Sequence, residues 1–339
     1  MSKYSGKTAV ISGGADGIGL SLAKTLGGEG MNIVLADIEG PQLAAAEQAL
    51  RDADIPVLAV EMDVALREDW VRTAEAARAR FGGVHMLINN AGVSGGIGAI
   101  ETLDDPGWRW TIDVNLMGVV YGANVLVPIM KAQGEGGWVI NVASMAGMGG
   151  VPMAGAYTAT KAAVVALSES WAAELKGDGI HVAVLAPAFV KTRIHQSYRN
   201  RQPRYATTVE PTPDVINLAK STSKAVENGI DASIVGQRVL EALEFSPPKA
   251  ALVAESLVAA NLRGVDSHGI HLLTHYVKHI RVGNIDPKAD GQVLNESGSC
   301  LLFDGQKAVG QQVSDICCKH AVRLGKDYGI GMVTARCSN

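Results

Sequence analysis

The chain has 339 residues, 47% of them apolar and 19% charged, the make-up of a globular protein long enough for two domains or for one large α/β domain with an appendage. Its net charge of -4 leaves no basic footprint for nucleic acid or an anionic membrane, so neither is an expected partner. The N-terminal segment enters a strand pattern without a signal-type apolar core, and no apolar run of roughly 18 residues follows, which makes the cytoplasm the expected compartment.

Thr8 to Ser12 is a short apolar run, and Gly13-Gly14-Ala15-Asp16-Gly17-Ile18-Gly19 then opens a periodic segment from Leu20 to Leu26. Strand, glycine turn and helix form the setting in which a backbone can approach a pyrophosphate whose charge rests at the helix N-terminus. The spacing is GxxxGxG rather than GxGxxG, and a glycine turn without a ligand is the competing reading. The next strand, Asn32 to Ala36, ends at Asp37. An acid at that place accepts hydrogen bonds from both hydroxyls of an adenosine ribose and repels a 2'-phosphate. No Arg or Lys stands within the glycine turn to offset it, so NAD is favoured over NADP.

Strand and helix patterns then alternate through Val57 to Glu61, a helix over Trp70 to Phe81, Met86 to Ile88, and a helix around Trp108 to Met130. A strand from Trp138 to Val142, a helix carrying Tyr157 and a strand from His181 to Leu185 continue the alternation. This order predicts an α/β fold with a Rossmann-type, doubly wound parallel sheet whose strand ends line one crevice. Asp63, Asn89-Asn90-Ala91-Gly92, Ser144 and Pro187 all fall at those ends.

Tyr157 and Lys161 stand four residues apart in an Ala-rich helical segment, so both side chains leave one face. An ammonium near a phenol favours the phenolate, and Tyr157 is expected to titrate below its ordinary value of about 10. The hydroxyl of Ser144, at the end of the preceding strand, is placed to reach a substrate oxygen beside the phenol. A surface Tyr and Lys on an ordinary helix is the alternative.

With these residues in view, positions 5–244 resemble the short-chain dehydrogenase/reductase family. The resemblance rests on Ser12 with Gly13, Gly17 and Gly19, on Asp63, on Asn89-Asn90-Ala91-Gly92, and on Asn115, Ser144, Tyr157 and Lys161 in that order. It implies an oxidoreductase that passes a hydride between a nicotinamide and a carbinol carbon. Tyr157 would exchange the proton, Ser144 orient the oxygen, Lys161 bind the nicotinamide ribose, and Asn115 hold a water linking Lys161 to solvent. Cofactor contacts are implied for Gly13, Asp16, Gly17, Ile18, Gly19, Asp37, Asp63, Val64, Asn90, Ala91, Gly92, Tyr157, Lys161, Pro187, Val190 and Thr192. The family's Pro-Gly after the sixth strand is Pro187-Ala188 in this chain. Relatives associate through the helices bearing Asn115 and Tyr157, so a homodimer or homotetramer is expected.

Lys191 to Asn228 reads as a long polar loop, a lid over substrate, with Arg193, Arg199, Arg201, Arg204, Tyr198 and Tyr205. Its arginines either recognise a carboxylate or an aromatic ring, or form a solvated surface. The Arg/Tyr run is similar to that of dehydrogenases acting on benzylic alcohols of lignin-type aryl ethers.

Asp231 to Glu244 reads as a last helix, and Phe245-Ser246-Pro247-Pro248 breaks it, giving a linker at 245–249. Residues 250–339, expected as an α+β appendage, resemble the opening of the type-2 malate/L-lactate dehydrogenases. The resemblance runs through Ala260-Asn261-Leu262-Arg263-Gly264-Val265-Asp266-Ser267-His268-Gly269, Asp304-Gly305, Gly310-Gln311 and Gly329-Ile330-Gly331. It implies a proton-donating role for His268, and it breaks off at Arg336-Cys337-Ser338-Asn339, short of the family's nicotinamide-binding part. A structural appendage, or a fused or truncated frame, is the expectation. A bifunctional enzyme that also acts on 2-hydroxy acids, and a dinucleotide-binding fusion with impaired catalysis, are the rivals.

His271, His275 and His279 would make a stripe on one helix, read as a solvated or interface face with no metal site assigned. Cys300, Cys317, Cys318 and Cys337 lack CxxC spacing and are expected as free thiols. Ser299 to Phe303 or Gly331 to Thr334 are apolar enough to pair along the open edge of the sixth strand.

Overall fold

The structure is a computed structural model and describes residues 2–243, 279–280, 282–328, 330 and 332–337. The chain divides into two compact units, residues 1–239 and 240–339.

In the first unit, β1 (Thr8–Ser12), β2 (Asn32–Asp37), β3 (Val57–Glu61), β4 (Met86–Asn89), β5 (Gly137–Val142) and β6 (Ile180–Leu185) form one six-stranded sheet in the order β3-β2-β1-β4-β5-β6. All pairings are parallel. Every residue of β1 and β4 is buried, as a parallel sheet covered on both faces requires. The order reverses between β1 and β4, which opens a crevice beyond their carboxyl ends, the usual ligand position of such sheets.

Helices α1 (Gly17–Gly28), α2 (Gly40–Arg51), α3 (Arg67–Phe81), α4 (Asp105–Ile112), α5 (Gly118–Gln133) and α6 (Gly155–Leu175) make the crossovers. The Asp16 side chain caps α1 by accepting from Gly17 N at 2.7 Å. Trp70 and Trp110 are fully buried in the main core with Val10, Leu87, Leu126 and Val139, and each such side chain contributes about 1.5–3 kcal/mol by leaving water.

The helix expected around Trp108 to Met130 is interrupted by a π-helical turn, Asp113–Met117, between α4 and α5. That turn carries Asn115. The continuous segment Asp105–Gln133 is long and apolar enough to cross a membrane, but Val119, Leu126 and Met130 on it are core residues of the first unit.

The expectation of an irregular Lys191–Asn228 loop is corrected by the structure. Short 3-10 turns cover Ile194–Asn200 and Pro203–Tyr205, and α7 spans Pro213–Glu227. Thr212 caps α7 and Pro213 opens it, and Val215, Leu218 and Thr222, half-buried, line up at helical spacing with the buried Val226, so the inner face is present but narrow among polar residues. Helix α8 (Ala232–Leu243) follows.

In the second unit, β7 (Gln292–Ser297), β8 (Cys300–Asp304) and β9 (Met332–Arg336) form a separate three-stranded sheet, with α9 (Gly310–Tyr328) packed on it. Leu301, Phe303, Ala308, Val313 and Leu324 make its core. The segments expected to pair with β6 instead pair with each other, β8 with β9 in parallel and β8 with β7 antiparallel. Among the described residues β6 pairs only with β5. His268, His271 and His275, and the run from Ala260 to Gly269, lie outside the described residues.

Candidate active site

The glycine turn after β1 is built for close approach. Gly17 has a left-handed backbone at φ 53, and a Cβ there would lie 2.9 Å from Cγ2 of Thr192. A Cβ on Gly19 would lie 2.1 Å from the Gly13 carbonyl oxygen, a contact no side chain survives. Ser12 ties this turn to the loop after β4, its Oγ accepting from the amides of Asn90 and Ala91, both at 3.1 Å. Asn90 Nδ2 returns hydrogen bonds to the carbonyls of Ser12 and Gly13, both at 2.9 Å. A narrow backbone cradle at the N-terminus of α1 results, and it fits a dinucleotide pyrophosphate. Ile18 is half-buried in the first turn of α1.

At the end of β2, Asp37 accepts from Ala15 N at 3.0 Å and from Glu39 N at 3.1 Å. Burial raises its carboxyl above the ordinary range, against those two amides. Asp63, after β3, accepts from Ala65 N at 2.9 Å, and Val64 is buried against the first unit's core.

The other half of the crevice holds the polar cluster. Ser144 Oγ accepts from Ala146 N at 3.1 Å and hydrogen-bonds the Tyr157 hydroxyl. Lys161, 3% exposed, donates to the Val142 carbonyl at 2.8 Å, and its Nζ lies over the Tyr157 ring, 5.8 Å from the centroid. A Cβ on Gly92 would stand 3.4 Å from both Lys161 Nζ and Asn115 Oδ1, so β4, the π-turn and α6 converge there. Asn115 spends its side chain on Val93, accepting from the amide at 2.8 Å and donating to the carbonyl at 3.0 Å. Pro187 accepts from Met145 N at 3.0 Å, Val190 is buried, and Thr192 Oγ1 accepts from Ile194 N at 3.4 Å.

The expected acidification of Tyr157 does not hold in the chain by itself. Burial pushes the phenol above its ordinary value, and the Ser144 hydrogen bond only partly offsets it. Burial also lowers Lys161 to about 8. Spacing on a helix places the ammonium near the phenol, but both groups lose their water, and desolvation outweighs the attraction.

Beneath the cluster, Asn89 Nδ2 donates to Asn141 Oδ1 at 2.8 Å, and Asn141 Nδ2 donates to Ser168 Oγ at 2.8 Å. Ser168 donates in turn to the Val164 carbonyl at 2.7 Å, so a buried polar chain joins β4, β5 and α6.

Sequence reasoning missed the partners of the 193–205 segment. Arg193 pairs with Asp16 and reaches Glu39 at 3.4 Å, Arg199 pairs with Glu39, and Arg204 pairs with Asp63 at 2.5 Å. Burial by itself would raise Glu39, but hydrogen bonds from Arg199 and Asn200 and the charges of Arg199 and Arg193 hold it below the ordinary range. No basic residue stands in the glycine turn along the sequence; folding brings Arg193 to it. The one available signal was compositional, a run of arginines in a chain with acids at three successive strand ends.

Residues 7–203 match the family model described as short chain dehydrogenase, and residues 231–339 match that of malate/L-lactate dehydrogenase. The second match begins upstream of residue 250, where the resemblance was expected to start. The 3-alpha-(or 20-beta)-hydroxysteroid dehydrogenase of Mycobacterium bovis is 37% identical over 223 residues, covering 64% of this chain and 84% of that protein. The cyclohexanol dehydrogenase of Acinetobacter sp. strain SE19 is 35% identical over 193 residues, 56% of this chain and 75% of that protein. A short chain dehydrogenase/reductase of Burkholderia phymatum, solved in complex with NAD, superimposes with TM-score 0.70 at 36% identity over 72% of this chain and 87% of its own. With a family match over more than half of its length, and with the sheet order and glycine cradle that go with it, this chain belongs to the short-chain dehydrogenase/reductase family of oxidoreductases.

Proposed function

We propose that residues 1–244 form an NAD-dependent dehydrogenase that interconverts a secondary alcohol and a ketone on a fairly apolar small molecule. The observation that carries this reading is the convergence of Ser144, Tyr157 and Lys161 at the ends of β5 and α6, across the crevice from the glycine cradle. When bound, the dinucleotide supplies the hydride acceptor or donor. Gly13, Asp16, Gly17, Ile18 and Gly19 would hold its pyrophosphate, Asp37 the adenosine ribose, and Asp63 with Val64 the adenine. Asn90, Ala91 and Gly92 would line the groove, and Pro187, Val190 and Thr192 would hold the carboxamide.

On the protein's side, the Tyr157 hydroxyl takes the proton from an alcohol oxygen or returns it to a ketone oxygen. Ser144 hydrogen-bonds that same oxygen and fixes its distance from the phenol. Lys161 binds the nicotinamide ribose, and its charge favours the phenolate against the burial that opposes it. Asn115 holds the π-turn in place through Val93, and in this reading it would also hold a water that links Lys161 to solvent.

Two features support an apolar substrate. Val151 and Phe189, 39% and 53% exposed, stand on the loops that precede Tyr157 and follow Pro187. The relatives' names specify a hydroxysteroid and cyclohexanol, both secondary alcohols on apolar rings. The same reading places the enzyme in the cytoplasm as a homodimer or homotetramer, with the linker at 245–249 and residues 250–339 as an appendage. The decisive experiment is a screen of cyclic secondary alcohols with NAD and with NADP, following reduced nicotinamide, on wild type and Tyr157→Phe. Turnover that survives in Tyr157→Phe refutes the mechanism.

The family match over residues 231–339 favours a second reading, a bifunctional chain that also dehydrogenates 2-hydroxy acids. Malate or lactate oxidation that survives Tyr157→Phe and is lost in His268→Ala would establish it.

A further inference from the structure

We infer that residues 193–205 form a strap that holds the adenosine half of the cofactor groove shut, so that a dinucleotide binds only after the strap's ion pairs release. The inference rests on reading Asp16, Asp37 and Asp63 as cofactor contacts, as proposed above.

The strap crosses three successive strand-end loops. Arg193 Nε donates to Asp16, which caps the helix at the pyrophosphate position, and Arg193 Nη1 stands 3.4 Å from Glu39. Arg199 Nη2 and Asn200 Nδ2 both donate to Glu39 Oε1, the latter at 2.8 Å, and Glu39 gives its amide to Asp37. Arg204 Nη2 donates to Asp63 at 2.5 Å. Between these anchors Ser197 Oγ accepts from Ser94 N at 2.9 Å, in the loop that begins with Asn90. A ribose seeking Asp37 therefore meets Arg199 seated on Glu39 two residues further on, and an adenine seeking Asp63 meets Arg204 seated on Asp63 itself.

The closed arrangement is incompletely satisfied. Arg193 Nη2, His195 Nδ1, and Arg201 Nε and Nη2 are buried without a hydrogen-bond partner. Unfilled donors of this kind cost free energy and are matched by a phosphate oxygen. The arginines are part-exposed, at 33% for Arg193, 32% for Arg199 and 39% for Arg204, while their acids range from 40% for Asp16 through 20% for Glu39 to 11% for Asp63, so solvent and salt reach each pair from the arginine side and weaken it. Such contacts make a gate that opens on the binding timescale rather than a lock.

The test uses the full chain and stopped-flow energy transfer from tryptophan to NADH. The double variant Arg199→Gln/Arg204→Gln is expected to associate about fivefold or more faster than wild type, the effect of removing two part-exposed ion pairs. Glu39→Gln, which breaks the same clasp from the other side, is expected to accelerate association in the same direction, with circular dichroism confirming that each variant is folded. The wild-type association rate is expected to rise as ionic strength goes from about 0.05 M to about 0.5 M, and that of the double variant not to rise. Wild type and variants that bind NADH at one rate with one salt dependence overturn the strap and leave the cofactor reading standing. Absence of binding by every protein, at any salt, overturns both.

Discussion

Lys161 Nζ lies over the ring of Tyr157, 5.8 Å from its centroid, while donating to the carbonyl of Val142 at 2.8 Å. The ammonium is thus held by a neutral acceptor in a buried place, and among the described residues no carboxylate pairs with it. Lys161 drops to about 8 in consequence, and Tyr157 rises under the same desolvation. The pair is poised to gain from any ligand that brings polar groups into the crevice.

The first prediction concerns the phenol. Tyr157→Phe removes the proton-exchanging group and keeps the ring that packs beneath Lys161. Turnover is expected to fall by about a hundred- to ten-thousand-fold, with dinucleotide affinity within twofold or so of wild type. Steady-state kinetics and calorimetric titration with NAD measure the two quantities separately.

The second concerns the cost of the buried ammonium. The unfolded chain keeps the Lys161 proton to about its ordinary value of 10.5, whereas the folded protein releases it near 8. Between those values the unfolded state binds more protons, so stability rises with pH. Below pH 8 both states are charged and the whole penalty, about 3 kcal/mol, stands. Lys161→Met is therefore expected to raise the urea midpoint at pH 7 and to lose most of that gain by pH 9.5 or so, while abolishing turnover. Tyr157 acts oppositely, and only above pH 10, because its raised value makes the folded state the better proton binder there. A variant less stable than wild type at pH 7 would show that the Val142 carbonyl matters more than the buried charge.

The third concerns the adenosine ribose. Asp37→Ser is expected to reduce the preference for NAD over NADP by about tenfold, as the repulsion of a 2'-phosphate is removed. Binding measured side by side for both dinucleotides checks it. Tighter binding of NADP by the wild type would remove the role given to Asp37 and point to Arg193 and Arg199, which face Glu39 two residues further on.

The fourth concerns the cradle. A Cβ at Gly19 would lie 2.1 Å from the Gly13 carbonyl oxygen, a backbone atom that has no rotamer to yield. Gly19→Ala is expected to cost about 1–3 kcal/mol of stability and to weaken dinucleotide binding more than it weakens the fold. Chemical denaturation and titration with ADP-ribose report the two effects.

Much of this site is written in local sequence. The glycine turn, the acid ending β2 and the Tyr157-Lys161 spacing each depend on neighbours within a few residues, and each falls where the alternation places it. The α7 helix is legible in its Thr212-Pro213 start and in the spacing of Val215, Leu218, Thr222 and Val226; the polar residues between them are what make the segment read as a loop. The π-turn at Asn115 is hidden because helical periodicity does not report one extra residue per turn. The acid-arginine pairs join positions 141 to 177 residues apart, and no spacing rule connects them. The rise of Tyr157 is hidden for a related reason, since proximity to Lys161 is visible in a sequence and the loss of water is not.

The polar chain under the crevice determines which parts of this enzyme can move. Lys161 and Ser168 stand two turns apart on α6, and they are gripped by Val142 and Asn141, adjacent residues of one strand. A helix pinned at two heights on the same side cannot roll without breaking both grips. Whatever motion admits a ligand therefore falls to the opposite bank, where the contacts are charged and solvent-facing. The phenol keeps its station while the far wall opens and shuts.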